Sequence, residues 1–222
     1  MHVQIKKLVL IQSKIKEILV ERQLKITSPE IIAVTKTFSL EYILPLIQSG
    51  HIHFGENKVQ EAENKWPKIK IKFSNIQLHM IGKLQANKAK KAVKLFDFIH
   101  SLDNYRLAEK INRFENELNK KTKLFIQVNT GQEDQKSGIL AKDLNDFYEY
   151  CNQKLSLNVI GLMCLPPEND NTNEHFKLLK ECSKKLNLKD LSMGMSHDYP
   201  NAIINGATYI RLGTSIFGKR KN

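Results

Sequence analysis

The chain has 222 residues, 41% hydrophobic and 26% charged, which are the proportions of a globular protein and exclude a disordered or fibrous one. Its 35 Lys and Arg against 23 Asp and Glu give a formal net charge of +12, yet arginine stands only at Arg22, Arg106, Arg113, Arg211 and Arg220. With the lysines spread along the whole chain, a solvated surface is favoured over a nucleic-acid footprint, which leans on arginine's planar fork. No apolar stretch approaches the roughly 18 residues that span a bilayer. Cys151, Cys164 and Cys182 are odd in number and contain no C-x-x-C pair, which argues against a disulfide framework or thiolate metal site and points to a reducing cytosol.

The opening segment carries Leu8, Ile11, Ile15 and Ile18 on one face and predicts an amphipathic helix. Short β-type runs then alternate with stretches of helical spacing. The runs are 31–35 (IIAVT), 51–55 (HIHFG), 77–82 (QLHMIG), 96–100 (FDFIH), 123–129 (KLFIQVN), 157–163 (LNVIGLM), 191–196 (LSMGMS) and 208–213 (TYIRLG). Helical spacing occupies 40–49, 58–66, 87–95, 104–120, 143–153, 174–186 and 198–205. Alternation of this kind predicts right-handed parallel crossovers and an α/β fold: a closed (β/α)8 TIM barrel, in a single domain spanning 1–222, with an extra N-terminal helix. Only 216–222 follows the last run, so the opening helix is expected to cover the gap that a missing eighth helix would leave. The polar stretch 166–173 (PPENDNTN) reads as a mobile rim loop rather than a domain boundary.

Barrels place their chemistry at the carboxyl ends of the strands. There the runs end in Lys36, Gly55-Glu56-Asn57, Gly82, His100-Ser101, Asn129-Thr130, Met163-Cys164, 192–196 and 211–214, a set rich in small and polar groups. In SMGMSHD, Gly194 lets the backbone approach closely and Ser196 offers a hydroxyl and an N–H. In RLGTSIFG, Gly213 and Thr214 offer consecutive amides and a hydroxyl to an anion. Together, in the loops where barrels most often hold a phosphate, the two turns predict a phosphate site. Across the mouth, the apolar run EIIAVTK ends on Lys36. Position alone suits a lysine that snorkels to water. Loss of solvation there would instead disfavour the charged amine, lower its pKa and leave a nucleophile for aldehydes. An amine facing a phosphate cup is the layout that holds pyridoxal 5'-phosphate as a Schiff base.

AVTK, HFGENKVQEA, HMIGKLQANK, GLM, LSMGMSHD and RLGTSIFGKR, in matching order over 31–220, resemble the pyridoxal phosphate homeostasis protein family. The resemblance implies a barrel of the alanine-racemase N-terminal type, fold type III among pyridoxal-phosphate proteins, that binds the coenzyme and buffers or delivers it. It implies a Schiff base on Lys36, a phosphate cup from Ser196, Gly213 and Thr214, and Arg211 facing the pyridine nitrogen. A permanent cation at that nitrogen keeps it unprotonated and weakens the ring as an electron sink. Asn57, His79 and Met193 resemble cofactor-lining positions, although a satisfied core histidine is an equal reading of mid-strand His79.

The chain departs from the family pattern at Thr35, where Ser is usual, at Phe38 and Ser39, where a proline is common, at Lys58, where an aromatic is frequent, and at Lys83, where His or Pro is usual. Lys58, Lys83, Lys88 and Lys136 are candidates for a crowded rim, one of which would receive or hand on the coenzyme. The alternative function is an amino-acid racemase-like enzyme on the same barrel, which needs two acid/base groups on opposite faces of the substrate adduct. In racemases of this type the opposing tyrosine comes from a second domain of a partner subunit, whereas this chain ends with the barrel. Tyr42, Tyr105, Tyr148, Tyr150 and Tyr209 fall within expected helices or strands and Tyr199 begins a helix, so no opposing tyrosine stands out. The expectation is therefore a cytoplasmic, monomeric, non-enzymatic carrier. Its partners would be pyridoxal 5'-phosphate and, transiently, apo-enzymes that use it, with no nucleic acid, membrane or metal.

Overall fold

β-Branched and aromatic side chains suit a pleated surface buried on both faces, and the β-type runs become strands on that account. The computed structural model describes residues 1–24, 26–133, 137–168 and 170–218. Its strands are β1 (Glu30–Val34), β2 (His53–Glu56), β3 (Gln77–Met80), β4 (Phe98–Leu102), β5 (Lys123–Asn129), β6 (Ile139–Leu140), β7 (Val159–Cys164), β8 (Asp190–Met195) and β9 (Tyr209–Leu212). The order β4-β3-β2-β1-β9-β8-β7-β5 closes through β4 and β5, every pairing is parallel, and two-residue β6 adds to the edge of β5. This is the expected closed barrel with eight principal strands. Gly161 is needed where β7 meets β8, because a Cβ there would lie 2.1 Å from the Asp190 carbonyl oxygen.

Around the barrel run α1 (Val3–Glu21), α2 (Leu40–Gln48), α3 (Val59–Lys65), α4 (Pro67–Lys72), α5 (Ala89–Leu95), α6 (Tyr105–Leu118), α7 (Leu144–Glu149), α8 (Thr172–Lys185), α9 (Tyr199–Ile204) and α10 (Thr214–Phe217). α1 buries Leu8, Ile11, Ile15 and Ile18 and packs against α2, α9 and α10, closing the helical ring as expected. Two short helices were not expected. Pro67 opens α4 at a first-turn position, where its missing N–H costs nothing, and one-turn α10 follows β9 directly. α6 is capped by the Asn104 side chain, which accepts from Leu107 N at 2.9 Å. Among the described residues, no helix is long and apolar enough to cross a membrane.

The core has two parts. The larger lies between the outer sheet face and the helices, and includes fully buried Trp66, Phe54, Phe96, Phe147 and Phe176. The smaller gathers Phe98, Phe125 and Met163 with Ile160 and Tyr209. His79 stacks on Phe98 and His100 on Phe125, which places those imidazoles beside the smaller cluster.

Candidate functional site

A cavity of about 1140 Å³ opens at the carboxyl ends of the strands. It brings together Lys36, Asn57, Ser196, Arg211, Gly213 and Thr214, supplied by β1, β2, β8 and β9 or the turns that follow them. The other three predicted residues are not among those on its wall: His79, Met193 and Gly194 are buried within β3 and β8. Of the rim lysines, Lys83 lines the cavity, Lys58 and Lys88 do not, and Lys136 lies outside the described residues.

Lys36 stands two residues beyond the end of β1, half-buried, in a tight turn. The turn places Thr37 at φ 68°, a left-handed conformation that a β-branched residue adopts only when its surroundings hold it there. Thr37 N donates to Glu61 Oε1 at 2.6 Å. Lys65 Nζ donates to Thr35 O at 2.9 Å, Glu56 Oε1 at 2.8 Å and Glu61 Oε1 at 3.0 Å. Glu56 Oε1 also accepts from Thr35 Oγ1 at 2.7 Å and Trp66 Nε1 at 3.0 Å. The backbone is thus pinned on either side of Lys36, at Thr35 by buried Glu56 and by Lys65 and at Thr37 by Glu61.

Glu56 is 0% exposed, and Glu56→Ala takes the acceptor from Trp66 Nε1 and one of two carboxylates from Lys65, which keeps Glu61. Two hydrogen bonds to a charged group amount to a loss of about 3–5 kcal/mol. Denaturant unfolding is expected to show a loss of that size. A change below about 1 kcal/mol, the scale of an exposed pair, would mean that the clamp does not hold the turn.

The adjoining wall, not one across the mouth as the sequence suggested, is built from the turns after β8 and β9, β9 being the strand paired with β1. Gly194 at φ +90° bends the end of β8, and a Cβ there would lie 2.5 Å from Ala202 Cβ. Met195 N donates to Asp198 Oδ1 at 2.6 Å, and Ser215 N donates to Ser196 Oγ at 3.3 Å, which ties the two turns together. A Cβ on Gly213 would lie 3.5 Å from Val34 Cβ, so this wall reaches the end of the strand that leads to Lys36.

Arg211, 4% exposed, donates to Ser192 Oγ at 2.7 Å and to Cys164 O at 2.9 Å. Burial lowers its pKa from the usual 12.5, and among the described residues no carboxylate forms an ion pair with it. A buried guanidinium with neutral partners on a cavity wall suits an electron-rich ligand. The remaining wall holds the strand end Asn129 and part of the rim stretch 166–173, both marked in the sequence, and Gln127, which had no distinct signal: Gln127 donates to Ser137 O at 3.1 Å, Asn129 to Glu133 O at 2.8 Å, and Pro166, Pro167, Glu168 and Asp170 close the side. Among the described residues, no cluster of His, Cys, Asp or Glu is fit to hold a metal ion.

A closed parallel barrel with an amine, hydroxyl-bearing glycine turns and a guanidinium at its carboxyl mouth is a barrel of the alanine racemase N-terminal type. The family model for the alanine racemase N-terminal domain matches residues 14–221. The chain belongs to the pyridoxal phosphate homeostasis proteins within that family. It is similar to the pyridoxal phosphate homeostasis protein of Aquifex aeolicus, 36% identical over 201 residues that cover 86% of this chain and 87% of the relative. The Synechocystis relative of the same name is 38% identical over 204 residues, 87% of this chain and 92% of the relative. Among solved structures, PipY of Synechococcus elongatus with pyridoxal phosphate bound is 36% identical and superposes with a TM-score of 0.78 over 92% of this chain and 100% of PipY. A Clostridium difficile alanine racemase, 15% identical with a TM-score of 0.67 over 94% of this chain and 57% of the racemase, shares the fold.

Proposed function

We propose that this protein binds pyridoxal 5'-phosphate in the barrel-mouth cavity and buffers or delivers it, holding it through a Schiff base to Lys36. The carrying observation is that Lys36, Ser196, Gly213, Thr214 and Arg211 line one cavity. The residues fit the group: an amine for its carbonyl, hydroxyls and amides for its phosphate, and a cation for its ring. When bound, the coenzyme would supply an aldehyde to an amine. Lys36 would provide that amine, Ser196 and Thr214 would hold the phosphate, and Arg211 would hold the ring as a permanent cation that disfavours a proton on its nitrogen. Asn57 contributes to the wall beside Lys36. Met193 and Gly194 act from behind the cup by shaping the end of β8, and His79 acts from within the barrel.

Bound pyridoxal phosphate in PipY and the names of the curated relatives support this reading. None of the described cavity-lining residues is a tyrosine that could oppose Lys36 across a substrate, which favours a carrier over a racemase. The carrier acts as a monomer in the cytosol and passes its coenzyme to apo-enzymes. Buried free thiols at Cys151, Cys164 and Cys182 suit that reducing compartment.

Titrating ligand-free protein with pyridoxal 5'-phosphate is expected to give one saturable site with a shifted coenzyme absorbance. Incubation of the loaded protein with D- and L-amino acids in deuterated water should show α-hydrogen exchange no faster than with free coenzyme. Sustained exchange above that rate would establish the racemase reading instead. Ser196→Ala and Thr214→Val are each expected to weaken binding about tenfold, one charge-assisted hydrogen bond each. Unchanged affinity in both would move the phosphate elsewhere.

A further inference from the structure

Behind Arg211, three histidines that do not line the cavity follow one another on successive strands: His53 at the start of β2, His79 in β3 and His100 in β4. His53 Nδ1 lies 2.9 Å from His79 Nε2, His79 Nδ1 lies 2.9 Å from His100 Nε2, and His100 Nδ1 lies 2.8 Å from Ser192 Oγ. Ser192 receives Arg211 at 2.7 Å, and at the far end His53 Nε2 faces Glu30 Oε2 at 3.4 Å. His79, His100 and Ser192 are 0% exposed. An unbroken row of polar contacts therefore runs from the cavity wall to the amino-terminal rim of the barrel.

The two ends dictate its direction. A guanidinium only donates and an ionised carboxylate only accepts. With Arg211 donating to Ser192, the serine proton is left for His100 Nδ1, the other partner of that side chain among the described residues. If His100 donated instead, a hydroxyl proton would be buried without an acceptor, which is costly. His100 therefore carries its proton on Nε2 and donates to His79, His79 donates to His53 in the same way, and His53 Nε2–H points to Glu30. The Glu30 end requires the same order, because a lone pair on His53 Nε2 would face a carboxylate.

We propose that His53, His79, His100 and Ser192 are positioning residues, forming a relay polarised from Arg211 to Glu30 in which all three rings are neutral Nε2–H tautomers and which clamps the guanidinium on the cavity wall. Neutral rings agree with their surroundings: burial first, then Arg211 and His53, hold His100 well below 6.5, and burial with the neighbouring imidazoles and Lys123 does the same for His79. The clamp on Arg211 rests on the coenzyme reading above, whereas the tautomer order does not.

Nitrogen-15 histidine spectra of the ligand-free protein at about pH 7.5, a unit above the ordinary imidazole value, are expected to show all three rings as Nε2–H. A ring found as Nδ1–H or as imidazolium overturns the relay. Ser192→Ala is expected to weaken pyridoxal 5'-phosphate binding about tenfold, one hydrogen bond to a charged group, while inorganic phosphate, which meets only the cup, binds as before. Unchanged coenzyme affinity, or an equal loss for inorganic phosphate, overturns the clamp. If wild-type protein binds no pyridoxal 5'-phosphate, the coenzyme reading falls and the spectra still decide the tautomer order.

Discussion

Lowering the pH from 7 to 5 is expected to remove several kcal/mol of stability, more than breaking the buried Glu56–Lys65 pair. Four histidines sit in or near the barrel interior with their charged forms disfavoured. His51 and His53 are pushed down to about 4, mainly by burial and for His53 also by Lys123. His79 and His100 are held well below 6.5 by burial and by neighbouring imidazoles and Arg211. In the unfolded chain these rings titrate near the ordinary value of about 6.5.

Because the folded values are depressed, the unfolded state binds more protons below about pH 6.5, and stability falls with pH from there. It is fully present above that value and lost through the window down to about 4, where His51 and His53 charge in the folded state as well. Each fully buried ring contributes a slope of about 1.4 kcal/mol per pH unit. His79 and His100 carry the whole of it and the less enclosed His51 and His53 a part, which gives roughly 3–5 kcal/mol per pH unit. Against a net stability of about 5–15 kcal/mol for an ordinary domain, the roughly 1.5 pH units between 6.5 and 5 remove a large share of it, about 4–8 kcal/mol. Denaturant titrations between pH 7.5 and 5 measure the slope directly. A flat profile over that range would mean that the rings are solvated or already charged in the fold.

Lys36→Ala is expected to abolish every borohydride-reducible adduct with pyridoxal 5'-phosphate while leaving the circular dichroism unchanged. The substitution removes the amine and none of the backbone clamp, since Lys65, Glu56 and Glu61 bond to Thr35 and Thr37 on either side. The turns proposed to hold the phosphate and Arg211 remain, so the coenzyme is expected to be retained weakly, with affinity lower by about 100-fold or more, beyond the tenfold set by one lost hydrogen bond. Lys65 is no substitute, being committed to three oxygens. Lys83 is the other lysine among the described cavity-lining residues. A reducible adduct that persisted in the variant would assign it to such a lysine and remove Lys36 from the central role.

The barrel was legible because its strands are β-branched runs whose ends carry turn residues, and because α1 shows its apolar face in four residues at helical spacing. The parts that were not legible are too short for periodicity: two-residue β6 and one-turn α10 carry no pattern of their own. At the site, Lys36 and the two glycine turns stood out because each breaks the character of the run before it. Gln127 looked like any strand residue until β5 curved it toward Ser137. Mid-strand His79 was equally a core histidine or a ligand contact. Its partners belong to β2 and β4, and only the barrel register sets His53 and His100 against its two nitrogens.

We propose that one cavity holds a single coenzyme molecule between the Lys36 amine and the turns after β8 and β9. Borohydride reduction of the wild-type protein loaded with pyridoxal 5'-phosphate, followed by mass mapping of its peptides, tests this most directly. One equivalent of reduced coenzyme on the peptide that carries Lys36 is the predicted result, and label confined to another lysine, or no label at all, would contradict the account.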